Sequence, residues 1–161
     1  MDLSSRHRVG RKTFVIEQEF SMSIFASPRF LRHVMWADAA SCAATGALQL
    51  VVTQTLADLT GLPAALLTGT GLFLLAYASA AAWMARRQPL PRTLIGLVAL
   101  GNLGWAMGCA VLVFASGLAL SAWGLAWVAV QAVVVLVLAD LQWAGLRASR
   151  HAARQEAHLA L

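Results

Sequence analysis

The feature that most constrains this chain is where its charges are missing. From His33 to Ala85 the only acidic or basic residues are Asp38 and Asp58, and from Thr93 to Leu146 the only one is Asp140. A helix needs about 20 apolar residues to cross the hydrocarbon of a bilayer. Each stretch is therefore too long for one crossing and suits a hairpin of two. Composition points the same way, with 60% of residues hydrophobic and 12% charged, against about 45–50% and about 25% in soluble domains. So little charge cannot coat a soluble globule, which argues against a disordered chain, a disulfide scaffold or an ordinary cytosolic enzyme domain.

Turn chemistry divides both stretches. Asp58-Leu59-Thr60-Gly61-Leu62-Pro63 carries Gly and Pro, the strongest breakers, and Ser116-Gly117-Leu118-Ala119-Leu120-Ser121 is a weaker break. Four spans result, near 34–56, 63–85, 93–115 and 120–146. Helices of this length with short connections read as an all-α membrane protein, a transmembrane bundle over 31–147 in up-down-up-down order.

Orientation follows from the basic residues. All twelve lie in three segments: Arg6, Arg8, Arg11, Lys12, Arg29 and Arg32; then Arg86, Arg87 and Arg92; then Arg147, Arg150 and Arg154. Four spans put these three segments on one side, and the two opposite loops contain no Lys or Arg. The positive-inside rule then places both termini in the cytoplasm. The net charge of +5 is accounted for by this anchoring, so no nucleic-acid partner is called for.

Residues 1–30 form a basic cytoplasmic segment in this reading, and 148–161 a cytoplasmic tail. Met1 to Ser21 has neither helical periodicity nor the apolar run of a signal peptide. Two readings stay open for it. It is a basic tail on anionic headgroups, or translation begins at Met22, since Glu17-Gln18-Glu19 admits a purine-rich coding stretch just upstream. Ala37-Asp38-Ala39 has a small-X-small pattern, but too little apolar sequence precedes it for cleavage.

The first span bears a polar stripe, because Asp38, Cys42, Thr45, Gln49 and Thr53 recur at helical spacing. Such a face turns toward other helices or a hydrated cavity. Counting inward from the cytoplasmic ends, Asp38, Tyr77, Asn102 and Asp140 fall at about 9–14 Å depth, one per span. Three readings follow for that layer. It is a polar site or proton relay, an interhelical hydrogen-bond layer that sets register, or a level near enough to the interface for its carboxylates to be wetted.

Gly96, Gly104 and Gly108, with Gly101 to one side, make a small-residue surface on the third span, and Ala122, Ala126 and Ala129 lead to Asp140 on the fourth. Both are expected to pack within the bundle. Asn102, Trp105 and Cys109 share another face of the third span. Trp36, Trp83, Trp143 and Trp123 suit interfacial belts, while Trp105 and Trp127 lie deeper. Cys42 and Cys109 fall at different depths, which disfavours a disulfide. His7, His33, His151 and His158 assemble no haem or metal site. No phosphate loop, dinucleotide fingerprint or nucleophile elbow occurs, so no catalytic residue, cofactor or metal is expected.

Ala37-Asp38-Ala39, Gly61-Leu62-Pro63, Gly101-Asn102-Leu103-Gly104-Trp105 and Ala139-Asp140-Leu141-Gln142-Trp143-Ala144-Gly145-Leu146-Arg147 together resemble a group of small, uncharacterised four-helix bacterial inner-membrane proteins. The resemblance covers about Phe30 to Arg147 and has no counterpart before Met22. It implies a bacterial cytoplasmic membrane and four spans, with no activity to carry over. The expectation is a non-enzymatic accessory or interaction protein whose partners are the bilayer and another membrane protein or a second copy. The alternative is a small transporter or ion pathway using Asp38 and Asp140.

Overall fold

A computed structural model describes residues 27–159; the readings of Met1 to Ser21 and of Met22 as a start lie outside them. The described chain is all helical: α1 (Pro28–Val51), α2 (Thr53–Thr60), α3 (Ala64–Arg86), α4 (Arg92–Ala115) and α5 (Ala122–Leu159). Among the described residues, three segments are long and apolar enough to cross a membrane, Ala64–Arg86, Arg92–Ala115 and Ala122–His151.

Helix boundaries follow local chemistry. Ser27 caps α1 by accepting from the Arg29 amide at 3.2 Å, and Pro28 occupies the first turn, where a missing N–H costs nothing. The expected first span to residue 56 is interrupted. After the β-branched Val51-Val52 pair, Thr53 turns its hydroxyl back onto the Gln49 carbonyl at 2.6 Å. Such back-bonding bends helices, and Val52 leaves helical geometry at φ −121° and ψ 38°. Thr53 thus serves its own backbone, and α2 continues as a separate eight-residue helix.

Gly61 ends α2 in the left-handed region at φ 76°, a conformation that glycine adopts without a Cβ penalty. A Cβ there would lie 2.6 Å from the Ala119 carbonyl oxygen, so the two turns at this end interlock. Ser121 completes the join. Its amide donates to the Thr60 carbonyl at 3.1 Å, its hydroxyl donates to the Leu59 carbonyl at 2.6 Å, and its oxygen caps α5 through the Gly124 amide. At its far end α5 does not stop near 146. It runs 38 residues, about 57 Å at 1.5 Å per residue, which exceeds the ~30 Å hydrocarbon.

Two helix pairs dominate the packing, α1 with α3 and α4 with α5, and α1 joins them by lying against α5. The α1–α3 contact is close because glycine faces glycine. A Cβ on Gly46 would stand 2.8 Å from the Gly71 carbonyl oxygen. At the arginine-rich end, Leu31, Met35, Ala81, Met84, Ile95 and Leu146 pack together, and at the other end Leu56, Leu62, Leu67 and Val128 do.

Polarity is inverted relative to a soluble protein. Asp38, Gln49, Thr60, Asn102 and Gln142 are buried, while Leu97, Leu100, Leu103, Met107, Val111 and Phe114 form an exposed stripe along α4 at helical steps of three and four. Apolar faces of that extent mark contact with lipid or another protein.

Candidate functional site

Four long helices each place one polar side chain at a common point between the arginine-rich core and the Cys42–Leu74–Ala78 cluster. Asp38 of α1 is central and has no exposed surface. Its Oδ2 accepts from Gln142 Nε2 of α5 at 2.7 Å, Tyr77 Oη of α3 at 3.1 Å and Asn102 Nδ2 of α4 at 3.2 Å. Its Oδ1 faces the Cys42 thiol one turn along at 3.6 Å. Asn102 Nδ2 also lies 3.3 Å from Gln142 Oε1, and Tyr77 Oη 3.3 Å from Asn102 Oδ1.

Every donor to the carboxylate is neutral. A buried acid without hydrogen-bond partners is costly, and here three side-chain donors converge on one oxygen. The Tyr77 hydroxyl donates to Oδ2 and has Asn102 Oδ1 within reach as a second acceptor.

The layer expected from depth counting therefore unites Asp38, Tyr77 and Asn102, but the structure places Asp140 elsewhere. Asp140 is exposed on the opposite side of α5, beside Leu100, Leu103 and Trp143. Gln142 takes the fourth position, since two residues on a helix turn about 200°. Ala122, Ala126 and Ala129 are exposed as well, so the close-packing face assigned to α5 is corrected. Gly124, Val128, Val135, Leu138, Gln142 and Gly145 form the inward face. A signal for it was present: Gly124, Gln131, Gln142 and Gly145 share one side at steps of 7, 11 and 3. Depth was the same for Asp140 and Gln142, and only the face separates them.

The polar stripe of α1 divides. Asp38 and Cys42 belong to the cluster, Thr45 is half-buried, and Gln49 accepts from the Thr70 hydroxyl of α3 at 3.0 Å. Gln49 and Thr70 border a cavity of about 340 Å³ between α3 and α4, with Trp105, Trp127 and Gln131 on its other walls. The Trp127 indole N–H has no hydrogen-bond partner among the described residues.

The glycine surface of α4 is also corrected. Nothing lies within 4 Å of a Cβ at Gly101, Gly104 or Gly108, so these positions do not bring a helix of this chain close. Trp105 instead stacks on Phe73 of α3, with ring centroids 5.8 Å apart. At the arginine-rich end, Arg86, Arg87 and Arg147 lie over the rings of Trp36, Trp83 and Trp143 at 5.4, 4.5 and 5.6 Å, an arrangement suited to a membrane interface.

Both cysteines are free, and the described residues contain no group of three or more His, Cys, Asp or Glu placed to hold a metal ion. Compared with known proteins, the chain matches no family model, no curated protein and no solved structure.

Proposed function

We propose that this chain is an integral protein of a bacterial inner membrane, with four crossings and both termini in the cytoplasm, and that it acts as a non-enzymatic accessory or interaction protein. Three crossings are the apolar helices α3, α4 and α5. The fourth is α1, whose 24 residues reach about 36 Å. It falls short of the others in apolarity because Asp38, Ser41, Thr45 and Gln49 lie within it and Arg29 and Arg32 stand at its start. Burial of Asp38 against three helices supports crossing in their company rather than alone, as intramembrane acids turn inward. The arginines at the start of α1, between α3 and α4, and after Leu146 support the cytoplasmic assignment.

The observation that carries the functional reading is the closure of the Asp38 cluster. Its members satisfy one another, and neither Asp38 nor Gln142 has exposed surface, so the acid serves as a clasp between helices. The transport alternative needs Asp38 and Asp140 on one path, and these residues face opposite sides of α5.

Reconstitution into liposomes holding a pH-sensitive dye tests the choice. Under an imposed pH gradient, wild type and Asp38→Asn are expected to leak protons no faster than protein-free vesicles. A wild-type flux lost in Asp38→Asn replaces the accessory reading with transport. For the interaction role, a photocrosslinker at Met107, which is 70% exposed, is expected to give a discrete protein adduct in cells. Adducts to lipid alone count against it.

A further inference from the structure

A second cavity lies at the arginine-rich end, apart from the Asp38 cluster. It measures about 520 Å³ and opens between the start of α1, the α3–α4 loop, the start of α4 and the 145–149 segment of α5. Arg32, Arg92, Ser27, Gln88 and Ser149 line its polar side, and Leu31 lies among its apolar walls.

Its arginines are treated differently from their neighbours. Arg86, Arg87 and Arg147 rest on tryptophan rings, whereas neither Arg32 nor Arg92 lies over a ring among the described residues. Arg32 Nε is buried with no hydrogen-bond partner there. Among the described residues no carboxylate lines the cavity: Asp38 is enclosed in its cluster, Asp58 lies on α2 near the opposite end, and Asp140 faces Leu100 and Trp143. Among the described residues, two guanidinium groups thus border one cavity without a counter-charge, and one holds a desolvated donor without an acceptor. Leaving such a donor unmade is costly. The start of α4 lies at the same place without a side-chain cap, adding the positive end of a helix dipole.

We infer that this cavity binds a phosphate ester. A guanidinium fork matches phosphate oxygens in pairs, Ser27, Gln88 and Ser149 supply further hydrogen-bonding groups, and the volume suits a small polar headgroup. The apolar wall at Leu31 accommodates the carbon skeleton next to the phosphate. On the membrane placement proposed above, on which this inference rests, the cavity lies at the cytoplasmic interface. An anionic phospholipid meets the chemistry there, and so does a soluble phosphate compound.

The test uses the full chain in phosphatidylcholine nanodiscs, alone, with 20% phosphatidylglycerol, or with inorganic phosphate in the buffer. Thermal unfolding is followed by tryptophan fluorescence, and lipid retention by native mass spectrometry. Wild type is expected to retain phosphatidylglycerol about tenfold over phosphatidylcholine, the size expected for hydrogen bonds to a charged group. Arg32→Gln and Arg92→Gln should each lower that preference several-fold and the pair abolish it, while Arg150→Gln, outside the cavity, leaves it unchanged. Protection by phosphatidylglycerol alone assigns the phosphate to lipid, and equal protection by inorganic phosphate assigns it to a soluble compound. Absence of both, or an equal loss in Arg150→Gln, overturns the site. Flotation of all variants with vesicles tests the membrane placement separately, since it does not depend on these arginines.

Discussion

Replacing Asp38 with alanine withdraws the shared acceptor from three donors, but the consequences for them are unequal. Tyr77 Oη has Asn102 Oδ1 at 3.3 Å as a second acceptor, and Asn102 Nδ2 has Gln142 Oε1 at 3.3 Å. Gln142 Nε2 has only the Met35 sulfur at 3.7 Å, a weak partner. One fully buried donor is therefore stranded, at about 1–3 kcal/mol, and the lost carboxylate leaves a small void. Because side-chain hydrogen bonds between membrane helices average about 0.6 kcal/mol and reach about 1.7, the expected destabilisation is about 2 kcal/mol. Gln142→Leu removes the shortest bond to Asp38 and is expected to cost about 1.5 kcal/mol. The double variant removes both ends of the bond but leaves Asn102 Nδ2 without either of its acceptors, so it should cost about 3 kcal/mol, leaving a coupling of about 0.5 kcal/mol. Reversible unfolding in mixed detergent–SDS micelles, followed by tryptophan fluorescence, measures all three variants. Single-variant losses that add to within about 0.3 kcal/mol would refute the claim that Gln142 depends on Asp38.

Two further perturbations probe the packing. Gly46→Ala pushes a methyl group against the Gly71 carbonyl and is expected to cost about 1–3 kcal/mol as overpacking; Gly104→Ala, with nothing within 4 Å, should change stability by less than about 0.5 kcal/mol. Unfolding midpoints for the two decide it, and equal losses contradict the α1–α3 contact. For topology, an alkaline phosphatase fused after Leu161 should be inactive and Cys42 and Cys109 should resist a membrane-impermeant maleimide in intact cells. An active fusion reverses the orientation.

Much of the helix plan was legible because it rests on one-dimensional quantities. Gaps in charge marked out the three apolar helices α3, α4 and α5, and Gly61-Leu62-Pro63 marked a turn whatever surrounds it. Depth was legible too, since rise per residue is constant, and it brought Asp38, Tyr77 and Asn102 to one level. The break at Val52 was less visible, because Thr53 chooses between its own backbone and a neighbouring helix only when that neighbour is in place.

What tertiary structure decided was rotation. A carboxylate attracts attention in a sequence read for chemistry, yet Asp140 and Gln142 differ by about 200° around α5, and the direction of packing against α1 selects Gln142. The same holds for α4, where glycines suggested close approach but the chain packs the Asn102 face and leaves Gly101, Gly104 and Gly108 bare. The sequence by itself determined that this chain supplies long apolar helices with basic residues gathered at particular ends, because hydrophobicity and charge act residue by residue. Only the assembled helices decided which face of each turns inward, and so which polar groups meet, because hydrogen bonds and steric fit act between pairs of residues far apart in the chain.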